Sequence, residues 1–259
     1  MSSLNKLFRA RIGFPGDETI SFENLDTILE KTATSIPFEN LAIINKRNKK
    51  ITKQNLIEKI LIKNEGGVCY EINTLLYYFL LENGLEVELV RARSYTVASR
   101  SWSQAGRTHI LTLVTHQGEK YVIDTGFGIN LSLTPIPLNG CVATSRNGDF
   151  RISRIESEDG DCYLELKLMH RDEDWVSGYI FDSNHVLKDE TELNEVQQII
   201  VDHPFSPFNK SPLVTLLTDS GNIVLTESTF TQRVDGKEYK EEIEGATFNR
   251  YLQQHFGLY

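Results

Sequence analysis

The hydrophobic pattern of this chain changes period near Gly84, and that change limits its possible folds most. Before Gly84, apolar residues recur three and four positions apart, as in Ile72, Leu75, Leu76, Phe79 and Leu80. After it, apolar and polar residues alternate, as in LEVELVRARS, HILTLVT and KYVIDTG. The first pattern is typical of helices with one buried face and the second of half-buried strands. Helices in one block and strands in the next predict an α+β protein rather than repeated βαβ units.

Local stop signals give the predicted helices their ends. One helix, in FENLDTILEKTATSIPF, is expected to stop at Pro37, because the residue before a proline disfavours helical geometry. A second spans roughly residues 53–62, and a third begins near Cys69 and ends at Asn83-Gly84. The last third is mixed, with a helix near 190–200, a hairpin in LVTLLTDSGNIVLTE and an amphipathic helix at about 246–256.

Charge and composition exclude several classes of function. The 259 residues include 27 Lys and Arg against 36 Asp and Glu, and this net charge of −9 opposes general binding to nucleic-acid phosphates. No apolar run reaches the roughly 20 residues of a membrane helix. The start, MSSLNKLFRA, lacks the apolar stretch of a secretory signal, so a cytoplasmic protein is expected. The cysteines, at 69, 141 and 162, lack the number and spacing of a disulfide framework or zinc site, and no metal is predicted.

Cys69 has a setting that suits a nucleophile. Gly66 and Gly67 precede it and allow close approach of the backbone just before a predicted helix. Cys69 then falls in the first turn, where free backbone amides and the positive end of the helix dipole favour a thiolate. The competing interpretation, a small buried apolar residue, fits Cys141 and Cys162, which lack such a setting.

A thiol nucleophile needs a base, commonly histidine, and the base needs a group that orients it. If HILTLVTHQGEKYVIDTG is a hairpin with its tip at Gln117-Gly118, His109 and Asp124 are diagonal neighbours on one face, about 7–8 Å apart at Cα. His116 then falls on the opposite face. This register predicts a set of Cys69, His109 and Asp124, whereas a three-residue loop would reverse the faces.

Four motifs, in this order, are similar to those of the arylamine N-acetyltransferases, which transfer acetyl from acetyl-coenzyme A to aromatic amines and hydrazines. IPFENL at 36–41 resembles an early signature of that family, and EGGVCYE at 65–71 resembles its arginine-Gly-Gly-x-Cys-aromatic-Glu motif. Thr108-His109 before a strand and IDTGFG at 123–128 resemble its His and Asp motifs. The resemblance is strong over about residues 10–140 and weaker through SPF at 206–208 and the hairpin after it.

The resemblance implies a three-part fold and a pair of substrates. The expected parts are an N-terminal helical bundle at 1–83 with the nucleophile, a central antiparallel β-barrel at 84–188 with His and Asp, and a C-terminal α/β lid at 189–259. The expected partners are small aromatic amines or hydrazines and acetyl-coenzyme A, which serves as acyl-donor substrate and not as a permanently bound cofactor. The protein is expected to be a monomer or weak homodimer.

Carried over by position, the resemblance makes Cys69 the acetyl-accepting nucleophile, His109 its base and Asp124 the orienting acid. The same triad could serve a cysteine hydrolase or a transglutaminase-like enzyme, although IPFENL and GFG weigh against both. An amide synthase of a biosynthetic pathway is a further alternative. A binding module with a relic pocket is disfavoured, because all three triad residues remain.

The resemblance also assigns residues to the two substrates. Phe38 and Phe127 would line the acceptor pocket. The loop of Gly126, Phe127 and Gly128 would approach the coenzyme A arm, and Phe205 would line the coenzyme cleft.

Two positions depart from the family pattern. Glu65 stands where the family has an arginine, and Thr125 stands where it usually has a small apolar residue. A carboxylate that points toward Cys69 would oppose thiolate formation by like-charge repulsion. Glu65 is therefore expected to slow the nucleophile if it faces inward.

Overall fold

Helices gather at the start of the chain and strands follow, in a computed structural model that describes residues 3–97 and 99–259. The α-helices are α1 (Ser3–Ile12), α2 (Leu25–Ser35), α3 (Leu41–Ile44), α4 (Lys53–Leu56), α5 (Cys69–Glu82), α6 (Glu190–Asp202) and α7 (Gly245–Phe256). Short 3₁₀ turns lie at Phe22–Asn24 and Pro207–Asn209, and a π-helical segment, Ile57–Ile62, continues α4.

The strands divide between a barrel and a smaller C-terminal sheet. They are β1 (Phe38–Glu39), β2 (Glu86–Thr96), β3 (Ser101–Trp102), β4 (His109–His116), β5 (Glu119–Ile123), β6 (Ile136–Pro137), β7 (Ala143–Ser145), β8 (Gly148–Ser157), β9 (Gly160–Leu168), β10 (Val176–Val186), β11 (Leu213–Thr218), β12 (Gly221–Thr226), β13 (Thr229–Val234) and β14 (Lys237–Glu242). This confirms the predicted α+β class.

The predicted helices form, with small differences at their ends. α2 ends two residues before Pro37, and α5 ends just before Asn83-Gly84, where Gly84 takes a positive φ of 84°. The helix predicted at 53–62 is there, but its second half is wound as a π-helix, with the Lys63 amide bonded to the Glu58 carbonyl. The structure adds α1, which was not predicted.

α5 is the central helix of the N-terminal part. Its Leu75, Leu76, Phe79 and Leu80 are fully buried. Phe79 stacks on Phe8 of α1 with ring centroids 4.3 Å apart, and α6, from much later in the chain, adds its apolar face to the same core. This packing fixes α5 in the N-terminal core and holds its first turn against the barrel.

The middle of the chain is a nearly closed antiparallel barrel. Its strands follow the order β6-β5-β4-β2-β10-β9-β8-β7, and β3 pairs with β2 at one end. Alternate side chains fill the interior, among them those of Val90, Leu111, Leu113, Val122 and Phe150. Adjacent strands connected by tight turns explain why the sequence alternates so regularly after Gly84.

The C-terminal sheet takes its first strand from the N-terminal part. Its order is β1-β11-β12-β13-β14, in which Phe38 of β1 pairs with Thr215 of β11. The predicted hairpin forms β11 and β12, while β13 and β14 were not predicted. β1 comes from the N-terminal part but joins this sheet, and α6 comes from the C-terminal part but shares the core of α5. The division of the chain into three parts, with boundaries at 83/84 and 188/189, stays a prediction. No helix in the described ranges is long and apolar enough to cross a membrane.

Gly66 is a position where a side chain would collide with the backbone. A Cβ there would lie 2.1 Å from the carbonyl oxygen of Pro37, which accepts the amide of Gly67 at 3.1 Å. We expect Gly66→Ala to lower the free energy of unfolding by about 2 kcal/mol or more, because a backbone atom must move. Urea unfolding, followed by circular dichroism, measures this free energy of unfolding.

Gly16→Ala is the matched control, because no atom lies within 4 Å of a Cβ at Gly16. Its free energy of unfolding should stay within about 0.5 kcal/mol of the wild type. Equal stability of the two variants would contradict the packing argument.

Candidate active site

Cys69 is the first residue of α5 and is 3 % exposed. Its Sγ lies 3.7 Å from the carbonyl oxygen of Thr108, the residue before β4. The side chain of Glu71 caps the helix by accepting the Val68 amide at 3.1 Å. The thiol therefore sits at the helix N-terminus, against the barrel, as the two glycines before it predicted.

The hairpin of β4 and β5 has the predicted register. His116 pairs with Glu119, which places the turn at Gln117-Gly118. His109 Nε2 and Asp124 Oδ2 lie 2.6 Å apart, with both side chains less than 10 % exposed. His116 instead stacks on Phe22, away from this pair, so the predicted separation of the two histidines is confirmed.

Asp124 is held by donors from two directions. Its Oδ1 accepts the side-chain amide of Asn73 at 2.8 Å and the backbone amide of Gly126 at 2.8 Å. Asn73 lies one turn after Cys69 on α5 and also donates to the Ile110 carbonyl at 2.7 Å. The side-chain amide of Asn73 thus links the helix of Cys69 both to the strand of His109 and to Asp124, where the next loop begins.

The electrostatics of the pair favour a charged imidazole. Burial lowers the pKa of His109, but the adjacent Asp124 carboxylate outweighs it, helped by a hydrogen bond to Cys69, and raises that pKa to about 10. Burial raises the pKa of Asp124, yet His109, Asn73 and Gly126 together bring it below its ordinary value. Since Nε2 faces Asp124, Nδ1 is the ring nitrogen left for the thiol.

Gly126 lets the loop after β5 approach the nucleophile. A Cβ on Gly126 would lie 2.6 Å from Cys69 Cα and 2.8 Å from Asn73 Nδ2. Thr125 donates its amide and its hydroxyl to Asn73 Oδ1 at 2.8 and 3.0 Å. The hydroxyl at this position, which departs from the family pattern, is therefore used to fix the loop.

Cys69 and His109 open into an apolar inner cavity of about 300 Å³. Phe38 and Phe127, both predicted to bind substrate, line it, as do Gly126, Gly128, Phe208 and Leu213. The Phe127 ring centroid is 5.0 Å from that of His109, and the Phe38 centroid is 5.5 Å from that of Phe208. The cavity can hold a small aromatic molecule beside the thiol.

An outer cavity of about 510 Å³ adjoins the inner one, and the two share Thr108, Phe127 and Phe208 among their lining residues. Phe205 borders only the outer cavity, where its side chain is 62 % exposed, together with Tyr95 and Trp102. The site is therefore a two-part cleft with the thiol at its inner end. Whether these residues contact coenzyme A stays a prediction.

Glu65 points away from the thiol. Its carboxylate lies 3.8 Å from the Arg47 guanidinium and borders a small surface cavity outside the cleft. The condition for slowing the nucleophile, an inward-facing carboxylate at this position, is not met.

Two neighbours of the triad escaped prediction. Asn73 lies four positions after Cys69 on the same face of α5, and this spacing is a signal that could have identified it. Tyr179, on β10, is fully buried with its ring 5.0 Å from that of His109. No local pattern indicates Tyr179, because β10 reaches this point by pairing with β2, whose other edge pairs with the strand of His109. No described cluster of His, Cys, Asp or Glu could hold a metal ion.

Comparison with known proteins places the chain in a family. The sequence profile of an N-acetyltransferase family matches residues 21–259. An arylamine N-acetyltransferase of Escherichia coli is 30 % identical over 259 aligned residues, which cover 98 % of this chain and 88 % of that protein. The chain belongs to the arylamine N-acetyltransferase family. The predicted resemblance is confirmed.

Two solved arylamine N-acetyltransferases are similar over the whole chain. Arylamine N-acetyltransferase C of Bacillus anthracis is 37 % identical with a TM-score of 0.95, and each chain is covered completely. An arylamine N-acetyltransferase of Bacillus cereus is 41 % identical with a TM-score of 0.94, over 100 % of this chain and 99 % of that one. The Bacillus cereus protein is described as having a unique Cys-His-Glu triad, whereas the carboxylate here is Asp124.

We expect Asp124→Asn to lower arylamine N-acetyltransferase turnover by about 10³- to 10⁴-fold, because an amide can stabilise the wrong tautomer of His109. Steady-state kinetics and circular dichroism of the same preparation separate this effect from misfolding. His116→Ala is the control and should keep near-wild-type turnover, since His116 packs on Phe22 outside the site. Normal turnover in Asp124→Asn would exclude the orienting role.

The shifted pKa values also predict how stability depends on pH. His109 has a folded-state pKa of about 10, so its contribution is complete below its ordinary value of about 6.5 and is lost as pH rises toward 10. Asp124, with a lowered pKa, contributes above about pH 3.9 and loses its contribution in acid. The stability gap between wild type and Asp124→Asn should be widest between about pH 4 and 6.5. Urea unfolding at about pH 5, 7 and 9 tests this, and a gap that widens with pH would contradict it.

Proposed function

We propose that this protein transfers acetyl from acetyl-coenzyme A to an arylamine or arylhydrazine in two half-reactions, through acetyl-Cys69. The observation that carries the proposal is the Nε2–Oδ2 contact of 2.6 Å between His109 and Asp124, beside a thiol at the inner end of an apolar cleft. A nucleophile, a base and an oriented carboxylate are the groups that covalent acyl transfer needs.

In the first half-reaction, Cys69 and His109 react as a thiolate–imidazolium pair, in which the thiol proton already lies on His109 Nδ1, and the sulfur attacks the thioester carbonyl carbon. The new bond joins Cys69 Sγ to the acetyl group, and the bond from that carbon to the coenzyme A sulfur breaks. Coenzyme A leaves as a thiol with the proton from His109. Asp124 stabilises the imidazolium in between, and the free Cys69 amide of the helix N-terminus can donate to the tetrahedral oxygen.

In the second half-reaction, the amine nitrogen attacks the acetyl carbon on Cys69. The carbon–sulfur bond breaks, an amide forms, and the proton lost by the nitrogen passes through His109 to the departing sulfur. The enzyme returns to its first state with no net gain of protons. The apolar walls disfavour water in the inner cavity, which favours an aromatic amine over hydrolysis.

The two cavities suit the two substrates. The acceptor ring would lie in the inner cavity between Phe38 and Phe127. The donor's arm would reach the thiol along the outer cavity, past Phe205 and over the loop of Gly126 and Gly128. A single thiol served by both routes suits a scheme in which coenzyme A leaves before the amine reacts.

Acetyl-coenzyme A without an amine should place one acetyl group on Cys69, because the scheme forms the acyl-enzyme before the acceptor arrives. Intact mass and peptide mapping, after rapid quenching, locate the group. Cys69→Ser should stay unlabelled, and Cys141→Ser, which removes an exposed thiol, should label fully. An arylamine or arylhydrazine chase should remove the acetyl group as the acetylated product.

The alternatives give different outcomes. Acetylation confined to Cys141 or Cys162 would overturn the scheme. Rapid coenzyme A release with no amide product in the presence of amine would favour a hydrolase. Turnover with only a tethered intramolecular amine would favour an amide synthase.

A further inference from the structure

A second charged cluster lies under the first turn of α5, on the side away from the cleft. Lys59 Nζ is 2.8 and 2.7 Å from the two carboxylate oxygens of Glu71 and 3.2 Å from Glu39 Oε1. The side chains of Lys59, Glu71 and Glu39 are only 15, 9 and 2 % exposed. We call these three residues the lysine cluster. None of them takes part in the chemistry described above.

The lysine cluster connects the segments that shape the site. Glu71 caps α5 at Val68, next to the nucleophile, and Glu39 belongs to β1 with Phe38 of the inner cavity. The Glu39 amide donates to the Gly67 carbonyl at 2.9 Å. Lys59 therefore connects β1, which carries Phe38, to the first turn of α5, which carries Cys69.

The cluster also sets the charge near the thiol. Two carboxylates lie close together in a poorly solvated place, and the lysine offsets one of them. Burial lowers the pKa of Lys59, but the attraction of Glu71 and Glu39 for the ammonium group outweighs burial and raises that pKa. Lys59 therefore stays charged at neutral pH. Without it, up to two negative charges would remain beside the helix end that must stabilise a thiolate.

Residue 65, just before the two glycines, is a glutamate in this chain and therefore supplies no positive charge. Glu65 turns outward to Arg47, so the charge comes from the preceding helical segment, at Lys59. The π-helical winding of Ile57–Ile62 contains Lys59, and such segments are frequent near functional sites.

We propose that Lys59 is a positioning residue for Cys69, which clamps Glu39 to Glu71 and offsets the negative charge that would oppose the thiolate. The role rests on the acyl transfer proposed above, but its main test needs no acetyl transfer. The other ionisable groups near this turn are Tyr70 of α5 itself, whose pKa burial raises, and His109 and Asp124 from the barrel. Lys59 and Glu71 also border a small surface cavity, whose other charged residues are Arg47, Lys49, Lys50, Glu58, Lys63 and Glu65.

The test is the pH profile of Cys69 alkylation by iodoacetamide, in a Cys141→Ser background so that the exposed thiol does not react. Lys59→Met should move the midpoint upward by about half to one pH unit and lower kcat about tenfold at neutral pH. Lys59→Arg keeps the charge and should stay within about threefold of the parent kcat.

Two further variants separate charge from structure. Glu39→Gln removes a carboxylate and leaves the lysine, so the midpoint should move downward by about half a unit. The double variant Lys59→Met with Glu71→Gln restores the net charge and should recover part of the shift. Lys63→Met is the matched control, because Lys63 pairs with Glu58 at the surface and its side chain is 50 % exposed.

Unchanged midpoints in Lys59→Met and Glu39→Gln would overturn the proposal, as would an equal shift in Lys63→Met. If Lys59→Met does not fold, the sign of the Glu39→Gln shift decides alone. If the parent protein alkylates as expected but transfers no acetyl group, the proposed function fails and the role of Lys59 is still measured.

Discussion

The site depends on one constraint: the Cys69 thiol and the His109 imidazole must be held together although they lie on separate elements, the helix α5 and the strand β4. The carboxamide of Asn73 meets this constraint, because it bonds to the Ile110 carbonyl beside the base, to Asp124 and to Thr125. Each of these bonds is buried or partly buried, so losing one leaves an unpaired polar group with a cost of about 1–3 kcal/mol. The geometry of the triad is thus part of the packing of α5 on the barrel.

The first turn of α5 separates two electrostatic environments. On the cleft side, His109 and Asp124 form a buried pair that favours the imidazolium, and the surrounding walls are apolar. On the other side, Glu39 and Glu71 are balanced by Lys59. Cys69 therefore lies at the positive end of the helix dipole, with charged groups on both sides of the same turn.

Much of the site could be predicted because its parts are local. The hairpin register follows from Gln117-Gly118 and the strand alternation, and this register places His109 and Asp124 on one face. Gly66 and Gly67 predicted a close backbone approach just before α5, and the structure shows that approach at Gly66, against the Pro37 carbonyl. The helix α1 was missed although Leu4, Phe8 and Ile12 have helical spacing. The strands β13 and β14 were missed because β13 buries only Phe230 and β14 is exposed along its whole length, so neither shows an apolar alternation.

The sequence alone predicted the class of fold, the family and the residues of the candidate triad, because these depend on periodicity, turn residues and motif order along the chain. Only the tertiary structure decided which side chains surround the triad. Tyr179 lies near His109 because β10 and β4 pair with opposite edges of β2, Phe38 faces the cleft because β1 joins a sheet formed mostly after residue 212, and Lys59 meets both Glu39 and Glu71. These contacts join residues far apart in sequence or on separate elements, and packing, not local pattern, selects them.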